Sequence, residues 1–263
     1  MVAAGLNGPG RLRFGGLRDF LIGVTFVDGN GRLVKGGGKV VKNAAGFDLP
    51  KFLVGSLGRF GVLTELSFKV FPQPESYATL CFPHKDLTEG LETVLRIAGS
   101  SWEPDALELK SSGEVVLRFG GTEKALAERV EHNLKELGDL GERLEEEEAS
   151  KFWHEANAFG WAPKESMLTK VPLTPKQILE LDDVLIYYEA ARRYGAACNV
   201  AWVAWPAEKP ESALDAALRK IDLGGLVFRG NGERVSLGRW PSGAIKHAVK
   251  AAFDPKDKFP AIP

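Results

Sequence analysis

The sequence predicts an α+β protein built on antiparallel sheets and divided into two parts. Three observations carry this reading. The 263 residues suffice for one large domain or two ordinary ones. A glycine-rich first segment ends in an alternating strand, Val62 to Val70, which Pro72 and Pro74 cut off. Beyond it the apolar periods follow the order β-α-β-β-α, which is the pattern of a ferredoxin-like unit.

In the first segment, Leu17 to Val27 reads as a strand, apolar on both faces and β-branched toward its end. Asp28-Gly29-Asn30-Gly31 supplies positive-φ residues for a tight hairpin, and Leu33-Val34 begins the return strand. After Gly36 to Gly38, a short helix is expected over Leu49 to Val54, with Asp48 as N-cap and Pro50 in the first turn. In the following strand Val62, Thr64, Leu66, Phe68 and Val70 are expected to share one face. The boundary falls near Glu75.

The second part opens with strand-like Tyr77 to Phe82, helical Leu87 to Ala98, strands Ala106 to Lys110 and Glu114 to Phe119, and a helix from Thr122 to Leu137. Acidic Glu142 to Glu148 and Lys151 to Phe159 read as a connecting helix, with Glu145 to Glu148 a solvated face. Further on come a strand at Met167 to Val171, one helix from Pro175 to Tyr194 and a strand at Ala197 to Trp205. A helix from Ser212 to Ile221, a strand from Leu226 to Phe228 and a helix from Ala244 to Ala252 close the pattern.

Composition excludes several classes. Lys and Arg number 34 against 35 Asp and Glu, so charge gives no support to a nucleic-acid partner or an anionic membrane. No apolar run approaches the roughly 20 residues of a membrane span, and no export signal opens the chain. Cys81 and Cys198 stand far apart and indicate neither a disulfide framework nor a thiolate cluster. His84, His132, His154 and His247 are scattered, with no metal-ligand spacing.

Two glycine motifs invite phosphate-binding readings. "GGGKV" (Gly36 to Val40) lacks both the upstream glycine and the hydroxyl of a phosphate loop, because Leu33 and Val40 stand there. "GSLGRFG" (Gly55 to Gly61) has no G-x-G pair and precedes a strand instead of opening a helix, which excludes a dinucleotide fingerprint. Two readings stay open for it. It is a helix C-cap followed by a tight turn, or a turn of bare amides that holds a pyrophosphate or adenine edge beside Ser56 and Thr64. In "GGLVFRGNGERV", Arg229 and Arg234 are candidates for pairing a carboxylate, against the plainer reading of solvated arginines.

The ordered run "MVAAGLNGPGR…RDFLIGV…GGGKVVKNAAGFDLPKFLVGSLGRFGVLTELSFKVFPQP" resembles FAD-binding domains of the vanillyl-alcohol-oxidase, or p-cresol-methylhydroxylase (PCMH), type. Within them it is most similar to E-type subunits of bacterial glycolate oxidases. Gly5, Gly8, Pro9, Arg11, Arg18, Asp19, Gly23, Lys42, Asn43, Ala45, Gly46, Asp48, Gly55, Ser56, Gly58, Gly61, Val62, Thr64 and Lys69 carry the likeness. The closing "KAAFDPKDKFP" resembles the family's last segment, departing from it after Phe259.

The resemblance implies the C-terminal half of a PCMH-type FAD-binding domain (residues 1–74), a ferredoxin-like antiparallel cap (75–240) and a closing segment that returns to the FAD domain (241–263). It implies that the family's first FAD subdomain, with its pyrophosphate loop, is absent. Ala3, Ala4 and Gly5 are then expected along the ribityl and ring side of FAD, and Gly61 and Val62 on the adenine side. Gly8, Arg18, Asp19, Gly55, Ser56, Gly58 and Thr64 complete the expected contacts. The implied activity is that of a subunit of a glycolate (2-hydroxy acid) oxidase complex, with hydride passing to flavin and electrons to an iron–sulfur partner. Its partners would be D-type flavoprotein and iron–sulfur subunits, in the cytoplasm or peripherally at the inner membrane through them. No catalytic residue, metal ligand or covalent flavin attachment site is identified. The alternative is a truncated, non-catalytic scaffold that no longer retains FAD. Loss of a subdomain is expected to expose apolar surface, including parts of Leu17 to Val27, and to favour a homo-oligomer or an obligate partner.

Overall fold

The computed structural model describes residues 1–38, 47–138, 140–230, 232, 234–240 and 243–262. The expected carriers Lys42, Asn43, Ala45 and Gly46 lie outside the described residues. The chain forms two compact units. Met1–Asn7, Gly15–Pro72 and Pro241–Pro263 make the first, and Gly8–Phe14 with Gln73–Trp240 make the second.

The first unit is a three-stranded antiparallel sheet. Strands β1 (Leu21–Val27), β2 (Leu33–Gly37) and β3 (Val62–Phe68) lie in the order β2-β1-β3. The Asp28 carboxylate organises the hairpin by accepting the N–H groups of Asn30 and Arg32, each at 2.9 Å. Leu17–Phe20 is a helical turn and not strand, because the Asp19 carboxylate accepts the Gly16 N–H at 2.8 Å and caps it. The helix Leu49–Leu53 starts as expected, with the Asp48 side chain accepting the Lys51 N–H at 3.1 Å.

Two expectations about this sheet change. Being central, β1 buries Leu21, Val24 and Phe26 and does not present an apolar wall to solvent. In β3, Leu63 pairs with Phe26 but Glu65 pairs with Thr25, so Thr64 is an extra, bulged residue. Its hydroxyl donates to the Thr25 carbonyl at 3.0 Å. The bulge shifts the alternation, so that Leu63 and Leu66 pack on the core while Val62 and Phe68 turn outward. The exposed apolar stripe is therefore Val62 (55% exposed), Phe68 (39%), Val70 (82%) and Phe71 (49%).

The C-terminal helix Ala244–Phe253 closes this core. The Phe253 ring stacks on Phe52 at 5.5 Å between centroids and lies 5.8 Å from Phe26. Lys250 Nζ donates to the Arg59 carbonyl (3.0 Å), the Phe259 carbonyl (2.9 Å) and Asp254 Oδ2 (2.6 Å). Asp254 in turn accepts the N–H groups of Lys258 and Phe259 at 2.9 and 2.8 Å. One buried ion pair thus latches the last residues onto the unit.

The second unit holds a nine-stranded sheet, with strands β4 (Ser76–Phe82), β5 (Ala106–Lys110), β6 (Val115–Gly121), β7 (Glu142–Arg143), β8 (Met167–Pro172), β9 (Ala191–Gly195), β10 (Val200–Trp205), β11 (Gly224–Arg229) and β12 (Ser236–Gly238). Their order is β12-β11-β8-β10-β9-β5-β6-β4-β7. This is the ferredoxin-like arrangement twice over. β4 to β7 and β8 to β11 each have the same strand order, each with two helices, and they join antiparallel through β5 and β9. The sequence shows one such unit, and the structure contains a second. The helix expected over Pro175 to Tyr194 is in fact a 3₁₀ turn, the helix Ile178–Tyr187 and strand β9.

Alternation sorts each strand between two faces. Leu80, Leu107, Leu109, Leu117, Phe119, Tyr194, Val203 and Trp205 face the helices and form the main core. The other face carries Cys81, Ala106 and Val116 under Phe152 and Trp153 of helix Glu146–Ala158. It also carries Leu168 and Ala204 beside Phe159, Trp161 and Trp202.

Candidate cofactor-binding surface

In the first unit two of the expected segments meet. The Val2 carbonyl accepts the Gly55 N–H at 3.1 Å and the Ala3 carbonyl accepts the Leu57 N–H at 2.7 Å. These bonds stitch the turn Ala3-Ala4-Gly5 to the turn that follows helix Leu49–Leu53. Gly5 has φ +63°, and a methyl there would stand 3.2 Å from the Gly55 α-carbon. The left-handed backbone and the tight approach both favour glycine there.

The second turn is left-handed at Gly55 (φ +79°), Leu57 (+53°) and Gly58 (+74°). Gly55 follows Val54, the C-cap of the helix, which accounts for it as a helix stop. The amides are mostly spent on the fold: Ser56 N–H donates to Leu53 O at 3.3 Å, Arg59 N–H to Ser56 O at 3.1 Å, and those of Gly55 and Leu57 to the first turn. A run of free N–H groups for a pyrophosphate is therefore not present in this turn. The surface itself is open, because a methyl at Gly55 or Gly58 would meet nothing within 4 Å. The turn thus offers open backbone without a row of free amides.

The other expected contacts separate. Gly61 is buried, and a side chain there would run into Val27 O at 2.5 Å and the Phe26 ring at 2.7 Å. Strand packing thus explains this glycine. Val62 starts β3 opposite Val27, and Thr64 is the bulge. Ser56 is buried within its turn. Arg18 and Asp19 are exposed, Asp19 acting as the cap described above. Gly8 belongs to the second unit, where a side chain would collide with Asn157 Oδ1.

The second unit brings together residues that the sequence did not single out. On the face opposite the helices, burial pushes the Glu108 carboxyl up to about 8, with Arg193 and the Ala196 N–H offsetting part of the shift. The Arg193 guanidinium lies 5.1 Å from the Phe152 ring and 5.4 Å from Trp161. Beside Glu108 the chain turns through three left-handed residues, Ala196, Ala197 and Cys198, so β10 starts only at Val200. The turn is held by the Ala197 N–H to Leu107 O (3.1 Å) and by Asn199 Nδ2 to the carbonyls of Ala196 and Ala197 (3.0 Å each). On the same face, burial and then the charge of Arg11 lower Lys170 to about 8. Alternation along β5 or β8 could have flagged these positions, but a charge in a strand ordinarily marks the solvent side.

The two candidate carboxylate-binding arginines are engaged internally. Arg229 Nη2 donates to the Pro163 carbonyl at 2.7 Å and the Ser166 hydroxyl at 3.2 Å. Arg234 pairs with Asp215 at 3.1 Å and Glu211 at 3.7 Å. Among the described residues no group of three or more His, Cys, Asp or Glu side chains could hold a metal ion. No helix among them is long and apolar enough to cross a membrane.

No family model matches the chain. It is 49% identical over 80 residues to glycolate oxidase subunit GlcE of Escherichia coli (strain K12), covering 30% of this chain and 23% of that one. It is 37% identical over 106 residues to glycolate oxidase subunit GlcD of Bacillus subtilis (strain 168), covering 40% and 22%. A D-lactate dehydrogenase of Anaerostipes hadrus is 34% identical over 143 residues, covering 54% and 29%. The matches thus span about a quarter of the length of these relatives. Among solved structures, p-cresol methylhydroxylase with substrate bound superposes with a TM-score of 0.60 at 18% identity, covering 90% of this chain and 63% of that one. Over the matched residues the chain is thus similar to the glycolate oxidase subunits GlcE and GlcD, and its fold is similar to that of p-cresol methylhydroxylase.

Proposed function

We propose that the chain is an FAD-contacting subunit of a 2-hydroxy-acid oxidase acting on glycolate or a similar acid. In this reading it works beside a D-type flavoprotein subunit and an iron–sulfur subunit, which reach the inner membrane peripherally. Bound flavin would supply the hydride acceptor. The first unit would supply one wall of the flavin site. Ala3, Ala4 and Gly5 would lie along the ring side, and Gly55 and Gly58 would admit a planar group to the backbone. The observation that carries this reading is the pair of stitched turns with open space above Gly55 and Gly58.

The same turns lack a grip for the pyrophosphate. Hydrogen bonds to charged oxygens are worth roughly 1.5–3 kcal/mol each. Two missing bonds at the low end weaken binding about a hundredfold. The polypeptide of residues 1–263 is therefore expected to bind FAD weakly and to be inactive by itself, with partners completing the site. A second reading, a scaffold that binds no flavin, is favoured by the spent amides and the exposed stripe Val62, Phe68, Val70 and Phe71. Titrating FAD into the purified chain while following flavin fluorescence separates the two. Saturable binding in the micromolar range supports the flavin wall, and no binding supports the scaffold.

A further inference from the structure

The second unit contains a cavity of about 790 Å³ that the flavin reading does not use. Its floor is the outward face of β4 and β6, with Tyr77, Thr79 and Arg118. Helix Glu146–Ala158 forms one wall through Trp153. The Trp153 indole N–H donates to Thr79 Oγ1 at 2.9 Å, which fixes the ring. The Arg118 guanidinium is held between the Tyr77 ring (4.7 Å) and the Trp153 ring (5.1 Å). Its Nε is buried with no hydrogen-bond partner, and its anionic neighbour, the Asp105 carboxylate, interacts with it through charge and also has an orphaned oxygen. The buried Nε has lost water without gaining an acceptor, and the half-exposed guanidinium keeps terminal N–H groups free to donate to an anionic ligand.

The mouth has the opposite character. Glu75, Glu123, Glu145 and Glu146 line it and are all exposed, against one further cation, Arg143. A ligand bearing negative charge alone must pass four carboxylates, and a phosphate, close to doubly charged near neutrality, is penalised most. A ligand with a carboxylate at one end and an ammonium at the other satisfies both zones. We infer that this cavity is a binding site for a small zwitterion, an amino acid or short peptide, with its carboxylate on Arg118 and its ammonium among the rim glutamates. The volume lies in the range of small-molecule sites and leaves room for a dipeptide.

Calorimetric titration of the full chain with glycylglycine, alanine, acetate and inorganic phosphate tests this without flavin. Glycylglycine or alanine is expected to bind at least about tenfold more tightly than acetate or phosphate. Arg118→Gln is expected to weaken that binding about tenfold or more, as loss of a charge-assisted pair requires. The double variant Glu145→Gln, Glu146→Gln alters two exposed positions. It should keep the thermal midpoint and lose the preference over acetate. If Arg118→Gln does not fold, the double variant decides alone. No heat with either zwitterion, equal affinity for acetate, or a preference that survives the double variant would overturn the assignment.

Discussion

Gly58 and Gly61 stand three residues apart, yet a methyl group would do different things at each. At Gly61 it meets the Val27 carbonyl and the Phe26 ring, so Gly61→Ala is expected to cost about 1–3 kcal/mol by overpacking. At Gly58 it meets nothing, and only the left-handed backbone resists it, at about 1 kcal/mol. Urea unfolding should rank the two variants in that order. FAD titration should show the larger loss of affinity, relative to lost stability, for Gly58→Ala. At Glu108, burial favours the neutral acid in the folded state, raising it from 4.5 to about 8. The resulting stabilisation is complete below 4.5 and is lost as pH rises through about 8. Its size is of order several kcal/mol, a raised pKa unit being worth about 1.4. Glu108→Gln should remove this slope, so that wild type and variant diverge in urea midpoint between mildly acidic and mildly alkaline buffer. Parallel midpoints would contradict it.

At the scale of elements, the hairpin was legible because Asp28-Gly29-Asn30-Gly31 states a turn chemically. The first ferredoxin-like repeat was legible because its short apolar runs and amphipathic segments follow one another in the order β-α-β-β-α. Strand β9, "ARRYG", was not. Arg192 faces the helices, where it pairs with Asp182 (Nη2 to Oδ2, 2.7 Å) beside the Tyr194 hydroxyl, while Arg193 sits among aromatic rings on the other face. A strand with charge on both faces reads as a continuing helix, and the second repeat is hidden with it. The bulge at Thr64 was hidden for a related reason, since one extra residue inverts an otherwise regular alternation. The C-terminal latch gives a direct test of an element. Lys250→Met leaves Asp254 buried without its cation, so the thermal midpoint should fall. Limited proteolysis should then remove the residues after Phe253 before cutting β1 to β3. Wild-type protection of that segment in the variant would show that the latch is not Lys250.

At the scale of the whole molecule, Val62, Phe68, Val70 and Phe71 leave apolar side chains exposed on or just after β3, the kind of surface that another chain tends to cover. Light scattering is expected to show a homo-oligomer, or a monomer that associates once a partner subunit is added. A monodisperse monomer indifferent to partners would count against this. The candidate site was only partly legible. The likeness of Ala3–Gly5 and Gly55–Gly58 to a flavin domain named two segments that do meet. Spacing could not reveal that the second turn spends its amides internally, because hydrogen-bond partners far apart in sequence decide that. Nor could it reveal that Gly8 belongs with the second unit. The central claim is that the first unit offers a wall for flavin without a grip on its pyrophosphate. Visible absorbance of purified, dialysed chain, followed by titration with FAD, tests it most directly. The account predicts a nearly colourless protein that takes up FAD in the micromolar range. Near-stoichiometric flavin after dialysis, or no uptake at any concentration, would contradict it.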